Sequence, residues 1–89
     1  MSGTTLSTSN LDLRKKKLLI RSWHRGTKEM DLILGRFADH HLPIMSEAEL
    51  DDYEYISSQH DIDLLNWIIG VHPVPEDIDT PMFKKIKEF

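Results

Sequence analysis

Apolar residues recur along this chain at the three- and four-residue spacing of helices, and no stretch alternates as a half-buried strand would. The clearest run is Met30, Ile33, Leu34, Phe37, Ala38 and His41, one stripe of a helix that opens near Lys28 and is expected to be the central core helix. Before it, Leu11, Leu18, Leu19 and Trp23 share a face of a first helix capped by Ser9 or Asn10. Leu50, Tyr53, Ile56 and Ser57 form the inner face of a third, opened by a capping box of Ser46 and Glu49. A short fourth helix, with Asp61 as N-cap, runs through Leu64, Leu65, Trp67, Ile68 and Ile69 to Gly70, where hydrophobic density is highest. Thr80 and Pro81 start a fifth, whose Met82, Phe83, Ile86 and Phe89 fall on one face that either closes the domain or docks elsewhere.

The breaks between these segments have separate physical causes. Gly26 suits the position just past a helix end, where the backbone turns to positive φ at a cost of about 1–2 kcal/mol for other residues. Pro43 disfavours helical geometry at Leu42, and Pro73 and Pro75 keep residues 71–75 extended. Gly35 lies off the stripe of the second helix, where glycine costs about 1 kcal/mol relative to alanine, so it marks a close approach by another helix or by a partner. Residues 1–9, rich in Ser and Thr with a single Leu6, have nothing to bury and are expected to form a mobile tail without function. The pattern therefore predicts an all-α fold, a compact bundle of five short helices in one domain over residues 10–89, with neighbours antiparallel because the connections are short.

Size and charge narrow the functions open to such a bundle. A chain of 89 residues buries about 60–65% of its unfolded surface, leaving little interior for a deep substrate cavity. A net charge of −4 and a pI near 5.6 argue against a general nucleic-acid binder. The basic run Arg14, Lys15, Lys16, Lys17 with Arg21 reads as a solvated helix face, since no aromatic residues interleave with it. The acidic group Glu47, Glu49, Asp51, Asp52 and Glu54 reads as a dipole-matched, solvated helix start that would repel nucleic acid and attract a basic partner. Without cysteine there is no disulfide, thiolate nucleophile or Cys-based metal site. No apolar run is long enough to span a bilayer, and the first ten residues lack the marks of a secretory signal, so the chain reads as cytoplasmic and bacterial, a monomer with no membrane insertion.

Candidate chemistry is sparse. His40 and His41 are adjacent and about 100° apart on a helix, while His24, His60 and His72 lie in separate junctions, so no metal site is expected. Asp61-Ile62-Asp63 lacks the rest of a calcium loop, and no phosphate loop, nucleophile elbow or dinucleotide fingerprint occurs. What stands out is the junction from Trp23 to Asp31, where Arg25 and the carboxylates of Glu29 and Asp31 flank Gly26. Glu29 beside Arg25 is open to reading as a general base or as a surface i,i+4 pair worth a few tenths of a kcal/mol. A partner-binding patch made of His24, Arg25, Gly26, Glu29 and Asp31 is the better functional reading, with no catalytic, metal or cofactor residues.

The segment Arg25-Gly26-Thr27-Lys28-Glu29-Met30-Asp31, continued by Leu32-Ile33-Leu34-Gly35-Arg36-Phe37-Ala38, strongly resembles the small flavinylation and assembly factors of succinate dehydrogenase, whose hallmark is R-G-x-x-E. The likeness runs on through Asp61-Ile62-Asp63-Leu64-Leu65-Asn66-Trp67-Ile68-Ile69-Gly70 and covers roughly Leu11 to Val74. The resemblance implies a helical chaperone that binds the flavoprotein subunit of succinate dehydrogenase, or of fumarate reductase, and promotes covalent attachment of FAD there. It implies that Arg25, Gly26 and Glu29, with Asp31 beside them, meet that client. His24 stands where many relatives have a second arginine, which puts one positive charge of the patch in doubt. Tight binding of FAD by the chain itself is not expected, since no phosphate loop is present. Some relatives carry an antitoxin label, which implies as the alternative a regulator that binds a small membrane protein.

Overall fold

The computed structural model describes residues 12–89, and these fold into five α-helices: α1 (Leu13–Trp23), α2 (Lys28–His41), α3 (Glu47–Ser57), α4 (Asp61–Ile68) and α5 (Pro81–Glu88). A single 3-10 turn over Leu42–Ile44, with Pro43 inside it, ends α2. No strand occurs among the described residues, as the helical spacing predicts. The expected tail, and the caps expected at Ser9 and Asn10, lie outside the described residues. The helix itself opens later than those caps would allow: Asp12 is the N-cap of α1, its carboxylate accepting from the backbone N–H of Lys15 at 2.8 Å.

The core is built on α2. Met30, Leu34, Phe37 and Ala38 are fully buried along one stripe, each large side chain contributing about 1.5–3 kcal/mol by leaving water. Leu18, Leu19 and Trp23 of α1 pack on that stripe, and Leu50, Tyr53 and Ile56 of α3 cover it from another side. Met82, Phe83 and Ile86 are buried in the same cluster, so α5 closes the bundle against α3 and α2. Ile78, in the turn before α5, is also buried, four residues ahead of Met82. His41 ends the stripe half-buried, stacked on Phe37 with ring centroids 4.1 Å apart, and Phe89 meets Phe37 edge-on at 5.8 Å.

The start of α4 differs from expectation. Asp61 is the first helical residue and not the N-cap, its carboxylate committed to Arg25; His60 occupies the cap and makes no side-chain bond there. Gly70 does end the helix in the expected way. At φ +83° it lets the N–H of Val71 reach back to the carbonyl of Asn66 at 2.9 Å, closing the terminus as a Schellman turn. Only part of the dense apolar content of α4 is spent on the core, with Leu65, Trp67 and Ile68 half-buried against it. Only Leu64 is fully buried, whereas Ile62, Ile69 and Val71 are 74%, 60% and 61% exposed, because this two-turn helix lies at the margin and turns one narrow face inward.

Candidate functional site

The turn joining α1 to α2 is fixed from beneath by a glycine. A Cβ at Gly35 would lie 2.4–2.7 Å from three atoms of the Trp23 ring, so the indole fills the space that the missing side chain leaves. Close approach by another helix is therefore the reason for this glycine, and it extends the buried stripe instead of lying off it. The same indole donates Nε1–H to the Asp39 carboxylate at 3.2 Å. Asp39 is the residue that sequence reading missed here, although it follows Gly35 by one helical turn and so shares its face. Next to it Tyr53, fully buried, hydrogen-bonds Ser22 Oγ at 2.5 Å, and Ser22 in turn donates to the Leu18 carbonyl at 2.7 Å. Burial pushes the Tyr53 phenol up to about 12.

Arg25 is turned inward. Its Nε donates to Asp61 Oδ1 at 2.8 Å and one terminal nitrogen reaches the Gln59 carbonyl at 2.9 Å, while the other donates to the carbonyl of Ser57. One guanidinium thus satisfies carbonyls at the end of α3 and the carboxylate at the start of α4, a use of its planar fork that lysine cannot copy. The side chains of Arg25 and Asp61 are only 13% and 18% exposed. The Arg25 backbone N–H is held as well, by Asp31 Oδ1 at 2.5 Å. The expected pairing of Arg25 with Glu29 is absent among the described residues; all three guanidinium nitrogens donate instead to Asp61 and two carbonyls. Arg25 and Asp31, expected at the contact surface, are half-buried and brace the turn, and each lines an open depression beside it.

The other three predicted residues do lie outside. Gly26 adopts φ +108°, and a Cβ there would have nothing within 4 Å, so glycine is required by the backbone and not by crowding. It comes one residue later than a helix-capping glycine would, since His24 is the C-cap of α1. His24 is exposed and its ring Nδ1 lies 2.7 Å from the Ile20 carbonyl. Glu29 is exposed in the first turn of α2, where the helix dipole favours its charge, and it makes no hydrogen bond or ion pair among the described residues. Thr27 caps the same helix through its side-chain oxygen.

Two solvent-open depressions flank this turn. One of about 780 Å³ separates it from the start of α4 and has Arg21, His60, Ile62 and Asp63 along it. Another of about 680 Å³ lies on the α2 side, against Lys28, Asp31 and Leu32. His24, Gly26 and Thr27 line both. Neither is an enclosed chamber able to exclude water from a reaction. No cluster of three or more metal-ligating side chains occurs among the described residues.

The charged runs read from the sequence as two solvated faces are joined. Arg14 reaches Glu47 Oε1 at 3.0 Å, Asp51 Oδ1 at 2.7 Å and Glu54 Oε1 at 2.8 Å, and its pKa is driven still higher by hydrogen bonds to Asp51 and Glu54. The basic partner of the acidic helix is thus, in part, the chain's own α1. Spacing along one helix carries no signal for such a pairing between helices.

A family model described as flavinator of succinate dehydrogenase matches residues 16–89. The chain is 36% identical over 87 residues to the FAD assembly factor SdhE of Acetobacter pasteurianus, covering 98% of this chain and 80% of that one. It is 38% identical over 79 residues to the mitochondrial succinate dehydrogenase assembly factor 2 of Dictyostelium discoideum, covering 89% of this chain and 56% of that one. A Caenorhabditis elegans protein of the same name is 35% identical over 82 residues, covering 89% of this chain and 69% of that protein. No solved structure matches. With nearly the whole helical region matched and the R-G-x-x-E residues standing at its best-formed turn, the chain belongs to the flavinator of succinate dehydrogenase family.

Proposed function

We propose that this chain assists assembly of succinate dehydrogenase by binding its flavoprotein subunit and promoting covalent attachment of FAD to it, acting as a chaperone and not as the catalyst. The observation that carries the reading is the division of the motif: Arg25 and Asp31 are engaged in bracing the turn, and Glu29 is left exposed and, among the described residues, unpaired beside Gly26. An exposed, uncommitted carboxylate on a rigid turn contributes little to stability and is free for recognition. Open depressions without an enclosed acid–base pair suit a surface that holds another protein better than one that performs chemistry alone.

The mechanism is positional. Attachment needs a client histidine aligned with an activated flavin methyl carbon, and a protein that stabilises the aligned client conformation lowers the entropic part of the barrier without donating a group to the reaction. FAD remains the client's cofactor, and binding by this chain alone is weak or absent. No helix among the described residues is long and apolar enough to cross a membrane.

Purified apo-flavoprotein and FAD, incubated with and without the chain and scored by in-gel flavin fluorescence, test this directly. The expected result is a faster rise of covalent fluorescence with the chain present, and none when a histidine peptide replaces the folded client. Flavinylation of the peptide would make the chain the catalyst; an unchanged rate with the folded client would remove the assembly role.

A further inference from the structure

The depressions beside the motif do not stop at α2. A third, of about 220 Å³, lies where α2, α4 and α5 meet, lined by Leu32, Ile33, Arg36, Ile68, Ile86 and Lys87 among others. It shares Leu32 with the depression beside Lys28, which in turn shares His24, Gly26 and Thr27 with the one beside Ile62. The three form one track, from the start of α4 across the motif turn to the end of α5.

Its charge is opposite to that of the molecule. Arg21, Lys28, Arg36 and Lys87 are exposed along it, Arg21 also standing 3.8 Å from the Glu54 carboxylate. Of the carboxylates lining it, Asp61 is paired with the Arg25 guanidinium, whereas Asp31, bonded only to the Arg25 backbone N–H, and Asp63 keep their charge, so the four cations outnumber two carboxylates. The chain as a whole carries −4. The floor is apolar at intervals, with Ile62 74% and Leu32 38% exposed. The molecule measures 38 × 30 × 19 Å, so a strand crossing it needs about nine to twelve extended residues at ~3.3 Å each.

We infer that this track holds an extended, acidic segment of the partner polypeptide, whose carboxylates meet Arg21, Lys28, Arg36 and Lys87 and whose interspersed apolar side chains seat on Ile62 and Leu32. Charge complementarity selects such an occupant over a basic one. A polypeptide fits better than a nucleic acid because no aromatic platforms line the motif end and α3 presents carboxylates elsewhere on the surface. The inference deepens the proposed function by naming the chemistry of the bound partner, and it rests on that reading.

The test uses a probe of defined composition. Isotope-labelled chain is titrated with a twelve-residue peptide alternating glutamate and leucine, with a lysine–leucine peptide and a single-stranded oligonucleotide as comparisons. Amide shifts at Gly26, Thr27, Leu32, Arg36 and Lys87 with the acidic peptide alone are expected. The affinity should weaken at least tenfold in the double variant Arg36→Glu, Lys87→Glu, and again on raising salt from low to molar concentration. Both residues are exposed and neither side chain makes a hydrogen bond or ion pair among the described residues, so the variant should fold normally. Equal response to both peptides, shifts confined to other surfaces, or stronger binding of the oligonucleotide overturns the inference. The same double variant, assayed for binding of the purified flavoprotein, separates the two ideas. Client bound by wild type and equally by the variant discards the track and leaves the assembly role standing, whereas an acidic peptide bound in the track by a chain that ignores the flavoprotein discards the assumed client and leaves the track.

Discussion

At the scale of single residues, this protein places ordinary side chains where small changes have large effects. Gly35→Ala would set a methyl group inside the Trp23 ring, and that ring is held by its bond to Asp39, so it cannot swing away freely. The expected outcome is a net loss of about 1–2 kcal/mol, overpacking outweighing the gain of up to about 1 kcal/mol in helix propensity, read as a lowered thermal midpoint with altered tryptophan emission. Tyr53 supplies a pH test. Its phenol has a folded-state pKa of about 12 against an ordinary 10.0, raised by burial. The folded state therefore holds its proton longer than the unfolded state does. Stability from this group is complete below pH 10 and is lost as pH rises from about 10 to about 12, by on the order of 2–3 kcal/mol. Denaturant titrations across that window should show the decline in wild type and a smaller one in Tyr53→Phe, which itself should cost about 1 kcal/mol.

At the scale of elements, the motif turn is a clasp between three helices. Arg25 joins the end of α3 and the start of α4 to the turn opening α2, and Arg25→Lys leaves acceptors that one ammonium cannot serve. We expect a loss of about 2–3 kcal/mol in chemical denaturation, at or below the range for breaking a buried ion pair because the site is partly exposed. Gly26 separates strain from occupancy. Gly26→Ala and Gly26→Arg should cost a similar 1–2 kcal/mol, roughly the strain of positive φ, since a Cβ meets nothing there. Only the arginine variant should also block the flavoprotein, by filling the depressions on either side of the turn; equal binding by both would place the contact elsewhere.

Much of this element structure was legible in the sequence, and the exceptions have a common cause. Helical periodicity predicted the inner faces of α2, α3 and α5, Ser46 and Glu49 form the expected capping box, and Gly70 ends α4. That box also holds the Glu49 carboxylate below its usual range, mainly through the backbone N–H of Ser46. What could not be read were relations between helices. Asp61 looks like an N-cap until Arg25, 36 residues earlier, claims its oxygen. Arg14 looks like a solvated lysine-rich face until α3 comes alongside. The apolar content of α4 looks like core because periodicity cannot tell an inner face from an exposed one when a helix lies at the margin. For the site, Gly26, Glu29 and His24 are exposed, while Arg25 and Asp31 are half-buried and brace the turn.

At the scale of the whole molecule, the bundle is a rigid mount for one exposed corner. α2 runs through the core, α1 locks to it through Trp23 and Gly35, and Arg25 ties that corner to α3 and α4, so the position of Glu29 follows from the packing of four helices. The central claim is that Glu29 acts outward while Arg25 acts inward. The most direct measurement is the affinity of purified flavoprotein for wild type and Glu29→Ala by calorimetry, with the thermal midpoint of each chain recorded alongside. The account predicts at least tenfold weaker binding with stability changed by no more than about 0.5 kcal/mol. Unchanged affinity, or an affinity loss accompanied by a matching loss of stability, would contradict it.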